Sequence, residues 1–204
     1  MNNLYFKQLE VGHMANFVYL IGDLKSKQCA MVDPAWDVGS VLRKAEADGM
    51  KITAGLLTHT HFDHANGVEE LIRKTGCKIY VHKDEAKYLK EFTEHIVETH
   101  DGMKIRIGEV ELEVLHTPGH TEGAQCFLSG DILLSGDTLF PGACGRCDLP
   151  GGDERKMAKS LKRLSGLDEK IRVYSGHAYG EASSSTIGIE KRNNPFMQKA
   201  WTGG

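Results

Sequence analysis

His59-Thr60-His61-Phe62-Asp63-His64 places four side chains with metal-binding nitrogen or oxygen atoms in six positions. Imidazole and carboxylate are the common nitrogen and oxygen ligands of zinc and iron. The run follows residues 52–57 (ITAGLL), which read as a buried strand. It leads into residues 64–75, where Val68, Leu71 and Ile72 share one helical face and Gly76 supplies a stop. A strand-to-helix junction can bring such close-set side chains to one point. It also sets Asp63 near a helix N-terminus, where a carboxylate is electrostatically favoured.

Outward from this hexapeptide, three more candidate ligands stand in glycine-containing turns. They are His120 in Thr117-Pro118-Gly119-His120-Thr121, Asp137 in Ser135-Gly136-Asp137-Thr138, and His177 in Ser175-Gly176-His177. Each follows a strand-like run, so each is expected at a strand end. The early strand-like runs, 4–9, 17–21 and 29–33, form a meander, with a helix expected over 37–48. Later come a strand at 78–81, a short polar helix at 83–91, two strands within 103–116 around Gly108-Glu109, and a hairpin over 126–134. A helix at 153–164, a strand at 171–174 and a last helix at 180–192 complete the pattern. That mixture is α/β or α+β. No repeat, low-complexity segment or linker divides it, so one domain over residues 1–204 is expected.

Composition narrows the function classes. The 204 residues carry 25 Lys plus Arg against 28 Asp plus Glu, a net charge of -3, which lacks the basic excess of a general nucleic-acid binder. No apolar run approaches the roughly 20 residues of a membrane helix, and the start MNNLYFKQLEVG does not resemble a secretory signal. Five scattered cysteines (Cys29, Cys77, Cys126, Cys144 and Cys147) read as reduced thiols, which makes a cytoplasmic location the expectation. Cys144-Gly145-Arg146-Cys147 is a C-x-x-C without the strand-then-helix context of a redox motif, and reads as structural or incidental.

HxHxDH at 59–64, TPGHT at 117–121, GDT at 136–138 and SGH at 175–177, in that order, resemble the metallo-β-lactamase fold superfamily. The resemblance implies a four-layer αββα sandwich: two mixed β-sheets face each other, helices cover the outside, and metals sit at one edge. It also implies that His59, His61 and His120 hold one metal, that Asp63, His64 and His177 hold a second, and that Asp137 bridges them. Two divalent ions are then the expected cofactors, with zinc foremost and iron or manganese compatible with the same donors. Such a pair shares a water and lowers its pKa toward ~7, giving hydroxide at neutral pH. Asp63 would hydrogen-bond that hydroxide while ligating, so Asp63 and Asp137 are the residues assigned to catalysis. Thr60, Thr117 and Thr121 are candidates to orient the histidines, His116 is a further candidate beside them, and Asp33-Pro34 matches an early turn of the family. Trp36 is expected in the core.

The segments Gly136-Asp137-Thr138-Leu139-Phe140, Gly145-Arg146-Cys147-Asp148-Leu149-Pro150-Gly151-Gly152-Asp153 and Glu190-Lys191-Arg192-Asn193-Asn194-Pro195-Phe196 resemble the glyoxalase II-like branch and the related persulfide dioxygenases. What this implies is hydrolysis of a glutathione thiol ester or another small thiol ester. The alternative is a persulfide dioxygenase that oxidises glutathione persulfide to sulfite at a single Fe(II) held by His59, His120 and Asp137. A lactonase or other metallo-hydrolase is the further alternative. Arg146 and Tyr179 match positions that line the substrate pocket in persulfide dioxygenases, and an arginine can clamp a carboxylate with two hydrogen bonds. The plainer reading pairs Arg146 with Asp148 or Asp153. Two departures stand out. Only 27 residues follow His177, too few for the helical glutathione-binding domain of typical glyoxalase II, and Cys147 stands where relatives commonly have threonine. A small-molecule thiol ester or persulfide is the expected partner, nucleic acid and membrane are not, and a homodimer is compatible with this group.

Overall fold

A computed structural model describes residues 3–179 and 182–202. The first half of the chain builds one six-stranded sheet. Its elements are β1 (Leu4–Val11), β2 (Asn16–Asp23), β3 (Gln28–Val32), α1 (Val38–Ala47), β4 (Lys51–Leu56), α2 (Phe62–Ala65), α3 (Val68–Thr75), β5 (Lys78–His82), α4 (Lys83–Ala86), a 3-10 stretch over Lys87–His95, and β6 (Ile96–Thr99). The strands lie in sequence order. β1, β2 and β3 pair antiparallel, and β3, β4, β5 and β6 pair parallel.

The second half builds the facing sheet from β7 (Lys104–Ile107), β8 (Val110–His116), β9 (Gln125–Ser129), β10 (Ile132–Gly136), then β11 (Leu139–Phe140) and β12 (Ala143–Cys144) as a separate hairpin, α5 (Glu154–Ser165), β13 (Arg172–Ser175), β14 (Ser185–Thr186), α6 (Ile187–Asn193) and α7 (Pro195–Thr202). Its order is β14-β13-β10-β9-β8-β7. β10 and β13 run parallel, and the other pairs are antiparallel.

β2 is buried at every position because both of its faces pack. Val18 and Leu20 meet the helices through Val38, Val41, Ala45 and Leu71. Phe17, Tyr19 and Ile21 turn to the facing sheet and meet Ile105, Leu112, Val114 and Phe127. A strand with period two can serve both sides only if both sets are apolar. On the far side of the second sheet, Met157, Leu161 and Leu164 of α5 and Met197 of α7 cover Cys126, Leu133 and Val173. The result is the αββα sandwich, four layers deep. Among the described residues no helix is long and apolar enough to cross a membrane.

Strand direction places the site. β3 and β4 are parallel, so the turns after Val32 and Leu56 open on the same edge. In the second sheet β8 is antiparallel to β9, β9 to β10, and β10 is parallel to β13, so β8, β10 and β13 also end together. Cross-sheet bonds lock the two edges. The Gln125 amide donates to the Leu57 carbonyl at 2.8 Å, the Gln125 backbone N–H to that of Thr58 at 2.9 Å, and the Phe17 N–H to that of Gly176 at 2.8 Å.

Several elements differ from the sequence reading. The helix expected over 64–75 is two, α2 and α3, broken at Asn66-Gly67. The Asn66 side chain accepts from the Trp36 N–H at 2.7 Å, and the Gly67 N–H donates to the Pro34 carbonyl at 2.9 Å. A Cβ on Gly67 would overlap Val38 and that carbonyl, so the break comes from long-range packing. β6, β12 and β14 are short and lack a distinctive pattern. Of the last helix expected over 180–192, residues 180–181 lie outside the described residues, and α6 begins only at Ile187. α7 was not anticipated. It starts at Pro195, where a missing N–H costs nothing, with the Asn194 side chain accepting from the Phe196 and Met197 N–H groups.

Candidate metal centre

All seven candidate ligands stand on the edge where these strands end. His59, His61, Asp63 and His64 follow β4. His120 follows β8, Asp137 follows β10, and His177 follows β13. Their donor atoms form two overlapping groups, His59 with His61 and His120, and Asp63 with His64 and His177, while Asp137 joins a set with His59 and His64. His61 Nδ1 lies 3.1 Å from His59 Nε2 and 2.9 Å from His120 Nε2. His64 Nε2 lies 3.0 Å from His177 Nε2, and Asp63 Oδ2 is 3.3 Å from the latter. Asp137 stands between the groups, with Oδ1 3.5 Å from His64 Nε2 and Oδ2 3.5 Å from His120 Nε2 and 3.4 Å from His177 Nε2.

The outward nitrogens explain the inward ones. His120 Nδ1 donates to the Arg146 carbonyl at 2.7 Å and His177 Nδ1 to the Met14 carbonyl at 3.0 Å. His64 Nδ1 meets Asp33 Oδ2 at 3.1 Å. His59 Nδ1 meets the Thr58 hydroxyl at 3.1 Å, whose own proton goes to Asp33 Oδ2 at 2.7 Å. In its neutral form each ring thus holds its proton on the outside and turns an unprotonated nitrogen inward. Inward nitrogens about 3 Å apart repel unless a proton or a metal ion lies between them. Asp137 Oδ1 adds a buried carboxylate oxygen with no hydrogen-bond partner among the described residues. Such an atom is costly unless a cation meets it. The donor set therefore fits a pair of metal ions.

Protonation follows the same logic. Burial, then the neighbouring histidines, lowers the pKa of His59 far below the ordinary imidazole value. His61 is lowered as well, first by burial and then by His120. Burial opposes charge on Asp137 and Asp63, but the surrounding histidines outweigh it and hold both below the usual carboxylate range. Burial also opposes charge on His64, yet Asp137 and Asp33 raise it. His177 rises to about 10, because Asp137 and Asp63 overcome its burial. His59 and His61 are thus held neutral, while the proton that Asp137 and Asp63 hold on His177 has to leave before that ring can ligate.

Asp33 carries much of the orientation. It sits at the end of β3 with φ 51°, and among the other described non-glycine residues Ala15, Lys27 and Trp36 also have positive φ (53°, 58° and 54°). Non-glycine residues in that region cluster where function over-determines the backbone. Asp33 Oδ1 accepts from the Thr58 N–H at 2.7 Å. One carboxylate thereby steers His59 through Thr58 and His64 directly.

A cavity of about 380 Å³ opens onto the ligands and is lined further by Met14, Phe140, Ala143, Leu149 and Tyr179. Tyr179 stacks on His177 with ring centroids 4.3 Å apart and planes at 9°. Arg146 lines the same cavity, and its exposed guanidinium forms two 2.7 Å bonds to Asp148. Cys144 and Cys147 are free thiols, half-buried.

The sequence profile of the metallo-beta-lactamase superfamily matches residues 11–177. The chain belongs to that superfamily. Relatives in the superfamily include a probable polyketide biosynthesis zinc-dependent hydrolase, PksB, of Bacillus subtilis strain 168, 31% identical over 184 residues covering 90% of this chain and 82% of the relative. A hydroxyacylglutathione hydrolase of Rhodospirillum rubrum is 36% identical over 188 residues, 91% of this chain and 71% of that one. The crystal structure of ETHE1 from Myxococcus xanthus superposes with a TM-score of 0.84 at 28% identity, over 98% of this chain and 91% of that one.

Some expectations about supporting residues need correction. Thr60 does not face a ligand ring, and both its N–H and its hydroxyl go to Glu85. The Thr117 hydroxyl pairs with Thr138 and Cys126, and that of Thr121 has no hydrogen-bond partner among the described residues. Thr58, one residue before the motif, does the orienting. His116 is turned away from the ligands: it stacks on His82 at 4.0 Å and 9° and bonds the Glu122 carbonyl. With Asp84 these two form a further His/Asp group, but parallel rings send their lone pairs side by side instead of to one point. Trp36 packs on the core and also donates from Nε1 to Asn16 Oδ1 at 2.7 Å. Asn16 was missed altogether. It stands in no motif of the sequence, and only the fold brings it to Asp63.

Proposed function

We propose that this member of the metallo-beta-lactamase superfamily is a dinuclear metal-dependent hydrolase that cleaves a small-molecule thiol ester. His59, His61 and His120 would hold one ion, Asp63, His64 and His177 the other, with Asp137 between them. When bound, such a pair supplies a water that ionises near neutral pH and a positive pole for a developing oxyanion. The chain's own part is to aim the ligand nitrogens inward, to keep Asp63 and Asp137 anionic, and to offer an apolar wall to the acyl group through Met14, Phe140 and Leu149.

The observation that carries the thiol-ester reading is the cavity wall. Apart from the ligands, its ionisable side chains among the described residues are Cys144, Arg146 and Tyr179. Burial pushes the Cys144 thiol up to about 11, burial and then Asp137 raise Tyr179, and Asp148 raises Arg146. None is a ready acid at neutral pH. An alkoxide or amide leaving group needs a proton donor, whereas a thiolate, with a thiol pKa of about 8.5, leaves without one. The hydroxyacylglutathione hydrolase relative and the zinc-dependent hydrolase relative support the same class.

The test uses zinc-loaded protein with a thiol-ester panel, metal analysis and the variants His59→Ala and Asp137→Ala. Turnover by the parent, with metal and turnover lost together in both variants, is the expected result. Undiminished turnover by metal-stripped protein would overturn the reading. An iron-loaded sample with glutathione persulfide in an oxygen electrode checks the mononuclear alternative, and no oxygen consumption is expected.

A further inference from the structure

Glu85 is a buried carboxylate, 2% exposed, that neither ligates nor pairs with a cation among the described residues. It lies in α4, at the C-terminal end of β5. Because β5 runs parallel to β4, α4 begins beside the loop that carries the His59–His64 motif. Oε2 accepts from the backbone N–H of Thr60 at 3.0 Å and from the Thr60 hydroxyl. Oε1 accepts from the backbone N–H of Gly123 at 3.1 Å.

The two partners belong to different sheets. Thr60 sits between His59 and His61, on the loop from the first sheet. Gly123 lies three residues after His120, on the loop from the second. One side chain thus spans the two segments whose imidazoles form the His59/His61/His120 group. Gly123 is matched to this use: a Cβ there would come 2.5 Å from Glu85 Cγ, so glycine lets the carboxylate reach the backbone. The other group draws on different supports, namely Asn16 for Asp63, Asp33 for His64 and the Met14 carbonyl for His177.

We infer that Glu85 is a positioning residue that sets the His59/His61/His120 site by clamping the two loops that deliver it, and leaves the Asp63/His64/His177 site to other supports. The inference rests on the proposal that these groups hold metal ions. A carboxylate taken from water is costly, and three donated hydrogen bonds offset that cost. The clamp adds to the Gln125 bonds at the base of the two loops and sets the register of the ligands beyond them.

Cobalt(II) titration, followed by visible absorption and metal analysis, tests the inference on the full chain. Glu85→Gln keeps size and shape but replaces one acceptor oxygen with a donor. In the His177→Ala protein, which keeps the first group whole, adding Glu85→Gln should weaken cobalt binding about 10–100-fold, the usual effect of losing an outer support, and shift the ligand-field bands. In the His61→Ala protein, which keeps the second group whole, the same substitution should change affinity less than about twofold. Circular dichroism and thermal melts establish that each variant is folded, and Glu85→Asp, which retains the charge but not the reach, should weaken the first site as well. Equal weakening of both sites, or no weakening of either, overturns the inference alone. Failure of the unsubstituted protein to bind cobalt overturns it together with the dinuclear reading.

Discussion

Asn16 reaches Asp63 twice, from Nδ2 to the carbonyl at 3.0 Å and to Oδ2 at 2.9 Å, while its Oδ1 accepts from the Trp36 indole. The amide thus fixes which carboxylate oxygen faces His64 and His177. Replacing Asn16 with alanine should leave Asp63 free to rotate and weaken the second metal about 10–100-fold. Isothermal titration with zinc should therefore show one weakened equivalent and one near its original affinity. The residue scale also shows the limit of motif reading. His59 announces itself through its neighbours in sequence, but its tautomer depends on Thr58 and Asp33, and Asp33 is 26 positions away.

At the scale of elements, Asp23 ends β2 and ties two turns together. Its carboxylate accepts from the N–H groups of Lys25 and Ser26 at 3.1 Å each, within its own sheet, and from that of Glu109 at 3.2 Å, in the turn between β7 and β8 of the other. Gly108 in that turn has φ 60°, and a Cβ there would strike the Asp23 carboxylate, so glycine is needed on both counts. The hydrogen bonds, that from the Ser26 side chain foremost, lower the Asp23 pKa to about 2. A lowered folded-state pKa contributes stability above the unfolded value of about 3.9 and loses it as pH falls toward the folded one. Asp23→Asn should therefore lower the urea midpoint at pH 7, and the gap from the parent should close as pH falls from about 4 toward about 2. A gap that stays constant with pH would sink this account. Legibility at this scale was uneven. The long strands and the Gly108-Glu109 turn stood out because alternation and turn chemistry are local. The break between α2 and α3 did not, because Pro34, Trp36 and Val38 impose it from 28 or more residues away.

For the whole molecule, the layer between the sheets bears the stability and holds the two halves of the site in register. Phe127 is fully buried there, among residues of both sheets. Phe127→Ala should cost about 3–5 kcal/mol, the range for truncating a core phenylalanine, measured by urea unfolding of the metal-loaded protein. A loss below about 1 kcal/mol would mean that the sheets do not rely on this contact.

The amino-acid sequence determined the strand periodicities, the superfamily and the seven ligand candidates. Those properties rest on neighbouring residues and on repeated residue types, which a linear text records. Only the tertiary structure decided which nitrogens face inward, that Thr58 and not Thr60 supports His59, and that Asn16 and Glu85 belong to the site at all. Each of these depends on strands from two sheets ending on one edge. The loops that meet there are far apart in sequence and share no local pattern, so their pairing is set by strand direction and packing.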